Sequence, residues 1–294
     1  MKSDVYQVIT DRVVRLLESG TVPWHKPWKG GGEAPRNLVS RKAYRGINLF
    51  LLHAARYASP YWITFRQAQA LGGQVRKGEH SFPVVFWKII EDRVKDDEKR
   101  FPLLRYYSVF NIAQCDGIGV PTLSEVDEKL DPIKECEEVV DGMPSRPLIT
   151  HGRVGAFYNI LRDEVCVPIR DSFESAEAYY STLFHELTHA TGHRSRLDRP
   201  GISQADRFGS DLYSREELIA EMGAAFLCGH CGISNRTVDQ SASYIQSWLM
   251  RLKNDRKLVV QAAASAQKAC DFILGHEVGA RELADGNESS ATDE

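Results

Sequence analysis

A chain of 294 residues, 43% of them hydrophobic and 26% charged, can bury a sizeable core, and its length fits two domains. No apolar run is long enough to span a bilayer, and the first residues enter an amphipathic pattern without a secretory hydrophobic region, which points to the cytoplasm and to no membrane partner. The net charge of −3 hides an asymmetry: residues 1–120 carry 19 Lys+Arg against 11 Asp+Glu, a net of +8, while residues 121–294 carry 18 against 29, a net of −11. The basic half calls for an anionic partner. Six scattered cysteines (115, 136, 166, 228, 231 and 270) are too few for a disulfide framework.

Residues 4–18 predict an amphipathic helix, with Val5, Val8, Ile9, Val13, Leu16 and Leu17 inward and Gly20 as its stop. Pro23 to Gly32 follows as a mobile loop carrying Trp24 and Trp28 beside Lys26 and Lys29. Then come Arg41 to Asn48, a helix from about Leu49 to Ala58, and a strand end at Tyr61 to Ile63 with Thr64 as N-cap of a short helix. Val75 to His80 reads as a turn, Phe82–Ile90 as a strand, Glu91–Arg100 as a charged hairpin tip and Leu104–Asn111 as the return strand.

Four of the five Trp residues (24, 28, 62 and 87) lie in this basic half. Lys and Arg meet phosphates, and unpaired bases stack on exposed rings for about 1–3 kcal/mol each, which suits single-stranded nucleic acid. Phe82, Phe86 and Trp87, in an apolar strand, read as core; Trp24 and Trp28, in a Pro/Gly loop, read as exposed.

Cys115 to Pro147 is rich in Asp, Glu, Pro and Gly and reads as an acidic connector with room for one short helix. Arg153 to Ile169 predicts two short strands around a turn near Arg162 and Asp163; an edge strand there could take an extended peptide by strand addition. Ser175 to Gly192 predicts one helix, with Ala176, Tyr179, Tyr180, Leu183, Phe184, Leu187 and Ala190 at helical intervals.

This helix carries His185-Glu-Leu-Thr-His189. Residues four apart share a helix face, so both imidazoles can reach one ion, and Glu186 stands beside them as general base. That is the donor set of a zinc peptidase. A surface helix can carry the same spacing with no metal, but these two His sit against an apolar stripe, where unpartnered imidazoles are costly to bury. The third ligand comes from the next helix, Ser214 to Leu227. Glu217 is the ligand and Glu221 the acceptor that orients a ligand His; alternatively Ser214 and Glu217 form a capping box and Glu221 ligates. Tyr213, just ahead of that helix, can donate to an oxyanion. A metzincin is excluded, because Ser195 stands where that class needs a third His, and His193 is off register. Cys228-Gly-His-Cys231 continues a helix and reads as reduced thiols rather than a redox pair. Residues 241–274 form a closing amphipathic segment with Ile245, Trp248, Leu249 and Leu252 on one side, and the tail after Gly279 is polar and acidic.

Val22-Pro-Trp24 with Pro27-Trp28, Tyr44-Arg-Gly-Ile-Asn48, Trp62-Ile-Thr64 with Gln67-Ala68, and Val75-Arg-Lys-Gly-Glu79 resemble ArdC-type antirestriction proteins, whose amino-terminal module is similar to that of conjugative-plasmid primases. His185 to His193, Arg196-Leu197 and Glu216 to Glu221 resemble the peptidase half of the same family. The resemblance covers roughly residues 4–275. It implies a single-stranded DNA-binding domain, a zincin-like metallopeptidase domain and protection of incoming plasmid DNA from host restriction.

The expectation is therefore an α+β protein of two domains: residues 1–120 binding single-stranded DNA, an acidic connector over 121–147, a zincin-like metallopeptidase over 148–278, and a disordered acidic tail over 279–294. One Zn2+ sits on His185, His189 and Glu217, with Glu186 and Tyr213 catalytic and an unidentified protein as substrate. DNA meets Trp24, Lys26, Trp28, Lys29, Arg41, Tyr44, Arg45, Asn48, Trp62, Arg76 and Lys77. The competing expectation is a DNA-binding protector that cleaves nothing and whose metal site is structural or vestigial.

Overall fold

The computed structural model describes residues 4–24, 34–94, 97–119, 131–152, 155–203, 211–233 and 242–278, with the backbone alone along 87–94 and 97–103. Lys26, Trp28, Lys29, the side chain of Trp87, residues 121–130 of the expected connector and the tail from 279 lie outside the described residues.

The chain opens with α1 (Val5–Glu18), capped by the Asp4 side chain on the Tyr6 amide and stopped at Gly20, whose φ of 78° is easy for glycine alone. A four-stranded sheet follows, in the order β1 (Arg36–Asn37), β2 (Tyr61–Thr64), β5 (Asp97–Asn111), β4 (Phe82–Val94). Its backbone is the long antiparallel β4–β5 hairpin, in register from Phe82 opposite Val109 to Val94 opposite Asp97. Between these strands lie α2 (Ile47–His53) and α3 (Phe65–Ala70); Thr64 and Gln67 close the start of α3 with a reciprocal capping box. Strand β3 (Gln74–Val75) pairs with β6 (Cys115–Asp116) as a separate ribbon.

The second half builds a three-stranded sheet, β7 (Leu148–Gly152), β9 (Glu164–Pro168), β8 (Phe157–Asn159), with β7 parallel and β8 antiparallel to the central β9. Against it packs α5 (Ala176–Thr191); α7 (Asp211–His230) packs on α5, and α8 (Ala242–Asn254) and α9 (Leu258–Ile273) follow, with α9 against α7. The short α6 (Pro200–Ser203) leans on α7. The acidic connector contains a full helix, α4 (Pro132–Gly142), started by Asp131 and Pro132. Cys136, Val139 and Val140 face the core at i, i+3, i+4, so α4 packs into the second half.

The two halves share one core. Ile9, Val13, Val14 and Leu17 of α1 and Phe50 of α2 belong to the same buried cluster as Phe184, Phe226, Trp248, Val259 and Ile273. Phe50 stacks on Phe226 with centroids 4.7 Å apart, and the Thr10 hydroxyl donates to the Arg256 carbonyl at 2.7 Å. Charge separates the halves along the chain, but apolar burial joins them. Cys136, Cys228 and Cys231 are buried free thiols in this core, and burial pushes the Cys228 thiol up, which makes it a poor thiolate. Among the described residues no helix is long and apolar enough to cross a membrane.

Candidate metal centre

Helix α5 starts where the Ser175 hydroxyl accepts from the Ala178 amide, and it ends at Gly192. A Cβ at Gly192 would come within 2.6 Å of Ile202, so the chain can turn tightly there only with glycine. Helix α7 crosses α5 at Gly223, where an added Cβ would lie 2.5 Å from Cγ2 of Thr188. This close crossing lets one side chain from α7 meet two from α5. His185, His189 and Glu217 each offer a donor atom, all within 4.8 Å of one another.

The spacing fits a single small ion. The two imidazole Nε2 atoms are 3.2 Å apart, His189 Nε2 lies 3.5 Å from Glu217 Oε1, and His185 Nε2 lies 3.6 Å from Glu217 Oε2. Ligands at about 2.0–2.1 Å in a tetrahedron stand about 3.3–3.4 Å from each other. Burial alone would push the Glu217 carboxyl up; His185, His189 and the Tyr213 hydroxyl hold it down at about 2. Glu217 is therefore an anion at neutral pH, as a ligand must be.

Glu186 is 7% exposed and turned toward the same cluster. Burial raises its pKa, while the charges of His189 and His185 and a hydrogen bond from the Tyr158 amide oppose the rise. Tyr158 lies on β8, an outer strand of its sheet, so the strand edge and the Glu186 carboxylate are neighbours. Arg196 fixes that edge: its guanidinium bonds Asp163 and the Tyr158 hydroxyl on the hairpin, and the carbonyls of Ala190 and Ser145. Tyr213, expected ahead of the helix, stands inside α7 and bonds Glu217; burial and that carboxylate push its phenol up to about 12.

Two expectations at this centre are corrected. Ser214 is buried within α7, which already runs from Asp211, so Ser214 and Glu217 form no capping box. Glu221 neither ligates nor orients a His: its carboxylate accepts from the Trp24 indole at 2.9 Å and from the Tyr244 hydroxyl. The carboxylate facing a ligand His is Glu216, 3% exposed, with Oε1 3.5 Å from His189 Nδ1. Arg199, itself 8% exposed, bonds Glu216 through Nε at 3.1 and 3.2 Å and again through Nη2. Sequence reasoning missed this pair. The available signal was a Glu on a helix whose other positions, Leu218 to Leu227, are nearly all apolar or small; such a charge needs a buried partner.

The expected DNA contacts divide. Arg41, Arg76 and Lys77 are exposed, and Arg76 is tied to Glu79 and to the Ala113 carbonyl. Lys26, Trp28 and Lys29 lie outside the described residues, and the remaining five do not stand free on the outer surface, because their side chains are engaged within the protein. Trp24 is fully buried, edge-on to Trp248; Trp62 is 1% exposed and packs on Tyr57 and Phe82; Tyr44 is 6% exposed. Asn48 bonds both backbone groups of Val85 at 2.7 Å, and Arg45 is paired with Asp271 of α9.

Residues 3–110 match the N-terminal domain of the anti-restriction factor ArdC, and residues 137–265 match a zincin-like metallopeptidase family. The chain is 41% identical to the metal-free crystal structure of the antirestriction ArdC protein of plasmid R388, covering 92% of this chain and 96% of that one with a TM-score of 0.71. This chain belongs to the ArdC-type antirestriction family. The Mn(II)-bound structure of the same R388 protein matches at 40% identity and a TM-score of 0.74, over 92% of this chain and 97% of that one. Among curated relatives, an uncharacterized protein, y4eC, of Sinorhizobium fredii is 36% identical over 95% of this chain and 94% of its own length. Two Escherichia coli proteins named DNA primase TraC are each 35% identical over 94% of this chain, which spans only 28% and 20% of their length.

Proposed function

We propose that this family member is a divalent-metal peptidase joined to a single-stranded DNA-binding face, acting in the cytoplasm to protect incoming plasmid DNA from host restriction. One observation carries the peptidase: Glu186, buried and braced by the Tyr158 amide, stands between an open strand edge and the His185, His189, Glu217 cluster. A purely structural metal site has no use for such a base. When bound there, a Zn2+ ion polarises a carbonyl and lowers the pKa of a water. The substrate backbone extends strand β8, which places its scissile carbonyl by main-chain hydrogen bonds. Glu186 takes a proton from the attacking water and returns it to the leaving amine. Tyr213, bonded to Glu217 before substrate arrives, is the side-chain donor for the developing oxyanion. The DNA face comprises Arg41, Arg76 and Lys77 on the +8 half; the sequence adds Lys26, Trp28 and Lys29, which lie outside the described residues.

The test is protection of conjugated DNA in a restricting host, comparing wild type with Glu186→Gln at matched expression. Glu186→Gln is expected to keep its metal, to lose peptide hydrolysis at least ~100-fold, and to lose protection. Full protection by that variant would separate antirestriction from proteolysis, and normal peptide turnover by it would remove Glu186 as the base.

A further inference from the structure

A second site lies at the far end of α7. His230 follows Glu217 by thirteen residues, which places it about 20 Å along the helix from the metal ligands. There a cavity of about 260 Å³ opens between the two halves, between the Tyr44–Arg45 segment, α2, α7 and α9. The segment Tyr44-Arg-Gly-Ile-Asn48 is docked on α9: Arg45 pairs with Asp271, and the Gly46 amide donates to Gln267 Oε1 at 3.0 Å.

We propose that this cavity takes one unpaired nucleobase of a bound single strand, so that the carboxyl-terminal helices form part of the DNA site. The inference rests on the single-strand reading above and assigns it a specific pocket. Its walls are rings and apolar side chains: Tyr44, His53, Phe226, His230 and His276 beside Leu49 and Leu274. Flat rings with an apolar floor are what an unstacked base needs. The cavity is just below the ~300–1,000 Å³ of drug-sized ligand sites, which suits one ring system rather than a peptide.

The polar groups point the same way. A phosphate fits less well. The one guanidinium lining the cavity is already neutralised by Asp271, and burial pushes His53 down to about 4, leaving it uncharged at neutral pH. A dianion would thus enter a site with no net positive charge, whereas a neutral ring loses nothing by that balance.

The probes are deoxyguanosine, deoxyadenosine, deoxyribose 5-phosphate and a 20-nucleotide single strand, each titrated into the full chain. Ala43→Phe and His276→Trp narrow the mouth from two exposed positions on opposite sides of the junction. Both deoxynucleosides are expected to bind wild type and to shift the ring-proton resonances of His53, His230 and His276. Each variant is expected to weaken nucleoside and strand by at least about tenfold with melting temperature and metal content unchanged. Equal binding of deoxyribose 5-phosphate would overturn the proposal in favour of a phosphate site, as would nucleosides that leave the three His resonances unmoved. Nucleoside binding blocked by both variants, in a protein that fails to hold the strand, would support the pocket and sink the single-strand reading instead.

Discussion

Replacing Glu216 by Gln removes one negative charge from a place built around it. Glu216 is 3% exposed, between the Arg199 guanidinium and His189 Nδ1. Without the carboxylate, Arg199 keeps, among the described residues, the Thr191 hydroxyl at 2.6 Å and the Thr188 carbonyl at 2.7 Å as acceptors besides the new amide oxygen. Breaking a buried pair by removing one partner costs about 3–5 kcal/mol, and the amide keeps one acceptor, so a loss near ~3 kcal/mol is expected. If the Glu216 carboxylate, 3.5 Å from His189 Nδ1, steers that imidazole toward a metal, its loss is also expected to weaken metal binding by about 10- to 100-fold. Urea unfolding in excess chelator reads the first effect free of metal linkage, and competition against a chromophoric chelator reads the second. The pair Glu216→Leu with Arg199→Met removes both charges at similar volume. It should recover most of the stability while metal affinity stays low, because His189 still lacks its carboxylate. A Glu216→Gln protein that unfolds within ~0.5 kcal/mol of wild type and binds metal normally would refute this account of the centre.

Gly223→Ala drives a methyl into Thr188, whose hydroxyl is held by the Phe184 carbonyl. It should cost ~1–3 kcal/mol by overpacking and weaken metal binding, because the crossing of α5 and α7 sets the distance between Glu217 and the two His; unchanged unfolding and metal titration would contradict this. Burial pushes the Glu221 carboxyl up to about 7, against the donors Tyr244 and Trp24. An acid raised in the folded state holds a proton that the unfolded chain has released, so its contribution to stability falls as pH rises from ~4.5 to ~7. Glu221→Gln should flatten that window in unfolding experiments from pH 5 to 8; parallel curves for the two proteins would show that Glu221 does not titrate there. Single-strand affinity should fall linearly on a log–log plot against salt, by about 0.7 per phosphate neutralised, and a flat response would remove the electrostatic face.

Local chemistry made much of this molecule readable in advance. The helix of His185 and His189 declares itself by its 3.6-residue period and the Ser175 cap, and Thr64 with Gln67 states the start of α3 outright. Glu217 was accessible because it lies on the next helix with the reach a third ligand needs. What stayed hidden depends on residues far along the chain. Trp24 sits in a Pro/Gly stretch beside lysines, which reads as an exposed loop, yet its burial is decided by Glu221 and Tyr244, 197 and 220 positions away. Adjacent Glu216 and Glu217 look alike in sequence; one faces Arg199 and the other the cluster, and only the packing of α7 tells them apart. Charge asymmetry describes the surface of each half and carries no information about the buried faces that join them.

The packing of α1 against the end of the chain's described helices has a consequence for synthesis. The Thr10 hydroxyl meets the carbonyl of Arg256, in the turn between α8 and α9, 246 residues later. At ~5–20 residues per second, a ribosome leaves the first helix without its partner for roughly 12–50 s. Through that interval Ile9, Val13 and Leu17 lack α8 and α9, the helices that α1 packs against in the finished protein. The amino-terminal half thus emerges with part of its apolar face still uncovered until α8 and α9 are made.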